Sequence, residues 1–384
     1  MSSTFAELKR TMRVPLIDLS AQHRALRYEL QRAIQKVLDS QQFVLGPEVQ
    51  SLEEGIANYC RTAYAIGCAS GSDALLLALM ALDLKAGDEV ITTPFTFFAT
   101  GAAIARLGAK PVFVEIDSQT YNLKVERVES AITPRTRAIL PVHLYGQCVE
   151  MNALNEIGKR RNLPIVEDAA QAIGAECQGQ RAGSMGLIGC FSFYPTKNLG
   201  GAGDGGALTT NDENLANRLK TLRVHGGRTE YEHDELGINS RLDSIQAAVL
   251  GVKLKYLDQW SEARRKHAER YTELINAAGL SERMIPPFIS SGFRHIFHQY
   301  VVRVPGHRDK FKESLAANGI STKTYYPVPL HLQKCFASFG YHKGDFPEAE
   351  RAADETLAFP LFPELSEEQM LYVVDVCRRF FAAL

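Results

Sequence analysis

The stretch FSFYPTKNLGGAGDGGA, Phe191 to Ala207, decides the fold, because two strand-like runs enclose a loop of small residues that carries one lysine, Lys197. CFSFY (Cys190 to Tyr194) precedes the loop and GALTT (Gly206 to Thr210) closes it, and both read as β-strands. Within it Gly201, Gly203 and Gly206 satisfy the spacing GxGxxG. A dinucleotide site, however, needs a strand before those glycines and a helix opening at their end, and here a strand pattern follows them. The glycines are better explained as letting the loop pack tightly beside a flat ligand.

A lysine isolated among small, uncharged residues is placed like a Schiff-base former. An unperturbed amine titrates near about 10.4 and is a poor nucleophile at neutral pH unless desolvation or a nearby cation lowers that value. Upstream, IVEDAAQ (Ile165 to Gln171) puts Asp168 at the end of an apolar β-type run, where its carboxylate could face a pyridine nitrogen or cap a helix. Lysine, aspartate and a small-residue phosphate site are the three parts that pyridoxal phosphate (PLP) requires of a protein.

Working outward, EVITTP (Glu89 to Pro94), KPVFVEI (Lys110 to Ile116), RAILPVHL (Arg137 to Leu144) and LPIVED (Leu163 to Asp168) are short apolar runs separated by helical stretches. That alternation predicts a mainly parallel sheet covered by helices on both faces. SGSDALLLALMALDL (Ser70 to Leu84) is apolar nearly all round and predicts a buried helix, with Ser70, Ser72 and Asp73 as capping types at its start. Helical periodicity from Gln22 to Ser40 ends at the Gly46–Pro47 turn. After Asp243 a long helical pattern runs toward Ala277 and is expected to link two domains. The expected division is a large α/β domain over 1–264, with the N-terminal segment and linking helix, and a smaller α+β domain over 265–384 that includes a strand at QYVVRV (Gln299 to Val304).

Composition narrows the function classes. Lys plus Arg number 43 against 44 Asp plus Glu, so no global field recruits nucleic acid or an anionic membrane. The seven cysteines show neither a CxxC nor a Cys/His ligand spacing, which disfavours metal and a disulfide framework and suits reduced thiols in the cytoplasm. No apolar run reaches the roughly 18 residues of a membrane span, and the N-terminus lacks the apolar core of a signal peptide. A soluble cytoplasmic protein is the expectation.

Taken together, SGSDAL, FTFFAT, PVHLYGQ, VEDAAQAIGA, FSFYPTKNLGGAGDGGA and GINSRLDSIQAA resemble the PLP-dependent sugar aminotransferases of the DegT/StrS family, in order and at matching separations. The resemblance runs from PLIDL at Pro15 through the long helix and includes YYPVPLHLQ (Tyr325 to Gln333). It implies a fold-type-I PLP transferase that cycles through pyridoxamine phosphate (PMP), moving an amino group from L-glutamate to a keto group of a nucleotide-linked deoxysugar. In that likeness Lys197 matches the Schiff-base lysine and proton carrier, Asp168 the partner of the ring nitrogen, and Gln171 the donor to the ring hydroxyl oxygen. Gly71 and Ser72 match the phosphate site at a helix N-terminus, joined by Ser192. Phe97 matches an aromatic ring stacked on the cofactor, although buried phenylalanine is also ordinary core. Asn239 matches a residue supplied by the neighbouring subunit, which implies a homodimer with shared sites; it also suits a plain surface turn. Ser72 and Ser192 are equally ordinary capping or strand hydroxyls. Tyr325 lies in the segment that lines the sugar site in the family.

TKTYYPVPLHLQ looks more like members acting on 3-keto than on 4-keto sugars, and a cyclitol ketone is a further acceptor. Two rivals stand beside this reading. Dehydratases of the same family carry histidine at the Schiff-base position, against which Lys197 argues directly; a regulatory protein on the same fold would be catalytically idle.

Overall fold

The computed structural model describes residues 12–229 and 231–384. The runs expected as strands form one central sheet in the order Lys110–Phe113, Glu89–Thr92, Thr136–Ile139, Val166–Asp168, Ile188–Ser192, Gly206–Thr210, Tyr64–Cys68. Parallel bridges Ile139–Ile165 and Val142–Asp168 join its two halves. Every neighbouring pair is parallel except those made by Gly206–Thr210, which runs antiparallel to both sides. Glu89–Thr92, Val166–Asp168 and Gly206–Thr210 are buried throughout, as expected for strands covered on both faces.

The apolar helix spans Gly71–Met80, with Ser70 as its N-cap accepting the Asp73 N–H at 3.1 Å. Leu75, Leu77 and Leu79 are all buried, because this helix is packed between the sheet and further helices. Its start lies against two strand ends: a Cβ on Gly206 would fall 2.4 Å from the Ser70 carbonyl oxygen, and one on Gly71 would fall 2.5 Å from Ser192 Cβ.

The pattern expected as one long helix is two, Ser244–Leu254 and Leu257–Ala277. The break falls at Lys255 and Tyr256, and the two helices together serve three cores. Leu250 and Leu257 join the large core, Val249, Val252 and Trp260 pack on Leu26 and Leu30, and Tyr271 and Ile275 enter the C-terminal core.

The C-terminal core is built on the antiparallel pair Tyr300–Arg303 and Thr356–Phe359, with helices Arg308–Ala317 and Glu367–Ala382. Val14, in the N-terminal segment assigned to the large domain, is fully buried in this second core and bridges Ile320 in parallel. A β-branched residue shielded from water by a distant strand gives no local sign of which core shields it. Among the described residues no helix is long and apolar enough to cross a membrane, and no cluster of His, Cys, Asp or Glu could hold a metal.

Candidate active site

The loop after Ile188–Ser192 turns back on itself. The Phe193 N–H donates to Gly205 O at 2.8 Å, Gly201 N–H to Phe193 O at 2.8 Å, and Lys197 N–H to Tyr194 O at 2.8 Å. Asn198 Nδ2 donates to Ile296 O at 3.2 Å, which anchors the residue next to Lys197 to a distant part of the chain. Lys197 is half-buried. Burial pushes its amine down to about 8, with the Asp168 charge opposing.

Asp168, 4% exposed, ends its strand facing that amine. Its Oδ2 accepts from Thr100 Oγ1 at 2.8 Å and its Oδ1 from the Ala170 N–H at 3.2 Å. Burial pushes the carboxyl up, while those two hydrogen bonds and the charges of Lys197 and His143 pull it back toward the carboxylate. Successive strand residues point to opposite faces, so Glu167 is turned away from Asp168. It accepts N–H bonds from Gly183, Met185 and Gly186 at 2.7, 2.8 and 2.5 Å and shares a 2.9 Å bond with His143 Nε2. Since His143 Nδ1 accepts the Val149 N–H at 3.1 Å, the proton of a neutral ring sits on Nε2 and points to Glu167. This network, with Glu167 and His143 fully buried at its centre, clamps together the strand that carries Asp168, the 183–186 turn and the segment of His143.

Gly71 and Ser192 are brought into contact and Ser72 is exposed beside them at the start of the helix. Asp73, which would repel an anion there, is turned aside and accepts from Ser240 Oγ at 2.8 Å. Gln171 bridges two aromatic residues. Its Oε1 accepts the Tyr145 N–H at 2.8 Å, and its Nε2 donates to the Tyr326 hydroxyl at 2.8 Å. Phe97 is 56% exposed, so it is not core, and its ring lies 6.1 Å from that of Tyr326. Tyr325 is tied in through its carbonyl, which accepts from the Tyr145 hydroxyl. Asn239 faces outward, although its neighbour Ser240 is buried against Asp73 of the same chain.

Several contributors had no assigned role in the sequence reading. Thr100 lies in the FTFFAT window but shows no sign there of reaching Asp168. Tyr326 and Tyr145 are ordinary aromatic residues until the fold sets them around Gln171. His298 Nδ1 lies 3.3 Å from Asn198 Oδ1; burial, then the charges of Lys197 and Arg264, hold its ring neutral.

A family model described as the DegT/DnrJ/EryC1/StrS aminotransferase family matches residues 25–378. The chain belongs to this family. Among relatives, it is 51% identical to a protein of Geobacillus stearothermophilus named pleiotropic regulatory protein, over 96% of this chain and 99% of the relative. It is 45% identical to a UDP-N-acetyl-3-dehydro-α-D-glucosamine 3-aminotransferase of Acidithiobacillus ferrooxidans, over 95% and 97% of the two chains. Its fold is similar to that of DesV of S. venezuelae, solved in complex with a ketimine intermediate, with a TM-score of 0.92 and 45% identity over 96% and 98% of the chains. The DegT-family member described here is thus a PLP-dependent aminotransferase of fold type I. Its residues fit the cofactor. A buried carboxylate faces a lysine of lowered basicity, and a side chain at Gly71 would fill the space where helix and strand converge.

Proposed function

We propose that the protein moves an amino group from L-glutamate to the 3-keto group of a nucleotide-linked sugar, acting in the cytoplasm as a homodimer with shared sites. The observation that carries this reading is Lys197, whose amine is pushed down to about 8 opposite Asp168. At pH 7 an amine of that basicity is roughly one-tenth neutral, against well under a thousandth for an ordinary lysine. The aminotransferase name of the 45% identical relative supports the 3-keto acceptor.

When bound, PLP supplies the carbonyl that takes up the amino group and the ring that accommodates the electron pair released at the α-carbon. Lys197 Nζ accepts the α-proton of the donor amino acid and later returns a proton to the acceptor carbon. Asp168, kept toward its charged form by Thr100 and Ala170, balances a positive ring nitrogen. Gln171 spends one amide N–H on Tyr326 and retains a second for the ring oxygen. Phe97 and Tyr326 flank the ring position and limit the approach of water. Tyr325 lines the sugar side, and Ser72, Ser192 and the N–H groups of the helix start bind phosphate.

The regulatory name of the 51% identical relative favours a second reading, a regulatory protein on this fold; the assembled Lys197, Asp168 and Gln171 constellation weighs against an idle site. Incubation with glutamate and UDP- or dTDP-linked 3-keto sugars, read by 2-oxoglutarate release, tests the activity. No release with any acceptor, or unchanged release in Lys197→Ala, refutes it. The shared site is tested by mixing subunits. Lys197→Ala paired with Asn239→Ala leaves one intact site and about half of the activity by two-fold site counting, whereas the double variant paired with wild type damages both. The reverse ranking places Asn239 in its own subunit's site.

A further inference from the structure

The helix Gly71–Met80 opens on Ser70, Gly71, Ser72 and Asp73, a serine followed three residues later by an acid. That spacing is the signature of a capping box, in which the cap side chain takes the N–H of the third helical residue and the acid reaches back to the N–H of the cap. Here the first half alone is formed: Ser70 Oγ accepts the Asp73 N–H at 3.1 Å. The Ala74 N–H donates to Ser70 O at 2.9 Å and starts the helical ladder. The first-turn donors left over are the N–H groups of Gly71 and Ser72, the pair assigned above to the cofactor phosphate.

The second half is missing because the Asp73 carboxylate is held elsewhere. Ser240 Oγ donates to Asp73 Oδ2 at 2.8 Å, across 167 residues of chain. A hydroxyl has one proton, and since Ser240 Oγ also accepts the Ala69 N–H at 3.2 Å, that proton is directed at the carboxylate. Ser240 is fully buried, and its own N–H donates to Arg223 O at 2.9 Å. The Arg223 side chain does not serve Asp73, because its guanidinium pairs with Glu53 and donates to Gly67 O at 2.7 Å. Among the described residues no cation pairs with Asp73, so a serine hydroxyl is what keeps this carboxylate aside.

An acid that closed its capping box would sit beside the N–H groups the phosphate needs and would repel the phosphate as well. Two like charges about 4 Å apart, at an effective dielectric of about 20, repel by more than the energy of a tenfold change in affinity. We propose that Ser240 is a positioning residue for the cofactor: its hydroxyl draws Asp73 off the helix start and leaves the Gly71 and Ser72 N–H groups to the phosphate. The proposal rests on the placement of the phosphate at this helix start. Asn239, the residue before Ser240, faces outward and takes no part in the bond to Asp73.

The test is to strip the full-length protein of cofactor and titrate it with PLP or with pyridoxal, which lacks the phosphate, reading both dissociation constants from visible absorbance. Ser240→Ala should weaken PLP at least about tenfold and change pyridoxal by less than about twofold. Adding Asp73→Asn to that variant should bring PLP affinity back near the wild-type value, because the amide keeps the shape and loses the charge. Equal loss of both ligands in Ser240→Ala is plain structural damage and overturns the proposal. A PLP loss that Asp73→Asn does not restore is an effect relayed through Asn239, and overturns it too. Asp73→Asn alone keeps the test decisive if Ser240→Ala misfolds. It should bind PLP at least as tightly as the wild type; a loss of about tenfold makes the carboxylate an asset to the site and the proposal fails. Gly71→Ala separates the two levels of the argument. If it weakens PLP and not pyridoxal while Ser240→Ala weakens neither, the proposal fails and the phosphate placement stands; if it weakens both alike, the placement fails and takes the proposal with it.

Discussion

Replacing Lys197 by methionine should make the cofactor-free protein more stable while abolishing its activity. The ordinary lysine value of 10.5 falls to about 8 in the folded chain, first because burial disfavours the cation. At 1.36 kcal/mol for each tenfold change, holding that amine protonated inside the fold costs up to about 3.4 kcal/mol, less whatever its partial exposure returns through solvent. The sign follows from proton linkage. Between pH 8 and 10.5 the unfolded chain binds more protons than the folded one at this site, so wild-type stability rises with pH across that window. Methionine removes the titrating group and keeps the volume. Lys197→Met should therefore melt higher than wild-type apoprotein at pH 7, with the gain shrinking as the pH is raised from 8 toward 10.5. Thermal unfolding of both apoproteins across that range measures it, beside competitive acetylation of the wild-type amine read by mass spectrometry. An amine that labels with a midpoint near 10.5, or a melting difference that does not change with pH, refutes the argument.

Other variants probe the surrounding shell. Asp168→Asn should bind PLP and lose most of its turnover, since a neutral amide cannot balance a positive ring nitrogen; single-turnover kinetics at the wild-type rate would assign Asp168 another task. Gly71→Ala should lower PLP affinity by at least tenfold, because the added Cβ meets Ser192 Cβ at 2.5 Å and both backbones must move; equilibrium dialysis against PLP checks it. Glu167→Ala leaves three N–H groups, that of Gly183 fully buried and those of Met185 and Gly186 partly so, and the buried His143 without their acceptor. At about 1–3 kcal/mol for each stranded donor, it should cost several kcal/mol, visible as a drop in the denaturant midpoint at unchanged m-value.

Much of the site was legible because its parts are local in the chain. Lys197 stands out by the residues around it, and Asp168 with Gln171 by a strand end followed by a turn, so short-range pattern identifies them. The strands and their alternation with helices follow from the same logic, since an apolar run with polar or small flanks reports burial whatever it packs against. Periodicity carries no record of which core a buried face enters, and that is why Val14 and the dislocation at Lys255 and Tyr256 needed the fold.

What tertiary structure alone decided is the set of contacts that tune the chemistry. Thr100 reaches Asp168 across 68 residues, Tyr326 reaches Gln171 across 155, and His298 reaches Asn198 across 100. Each partner is a common residue type whose role depends on a hydrogen bond a few ångströms long, and such bonds are set by how strands and helices are ordered in space. The same holds for Lys253, an unremarked lysine in a helical run until the fold buries it against Gly200, with no carboxylate paired to it among the described residues. The amino-acid sequence by itself determined the family and singled out Lys197 and Asp168 as the candidate pair, because those depend on near neighbours. The basicity of that lysine was decided by the depth at which the assembled sheet and helices hold it, because desolvation is a property of the whole fold.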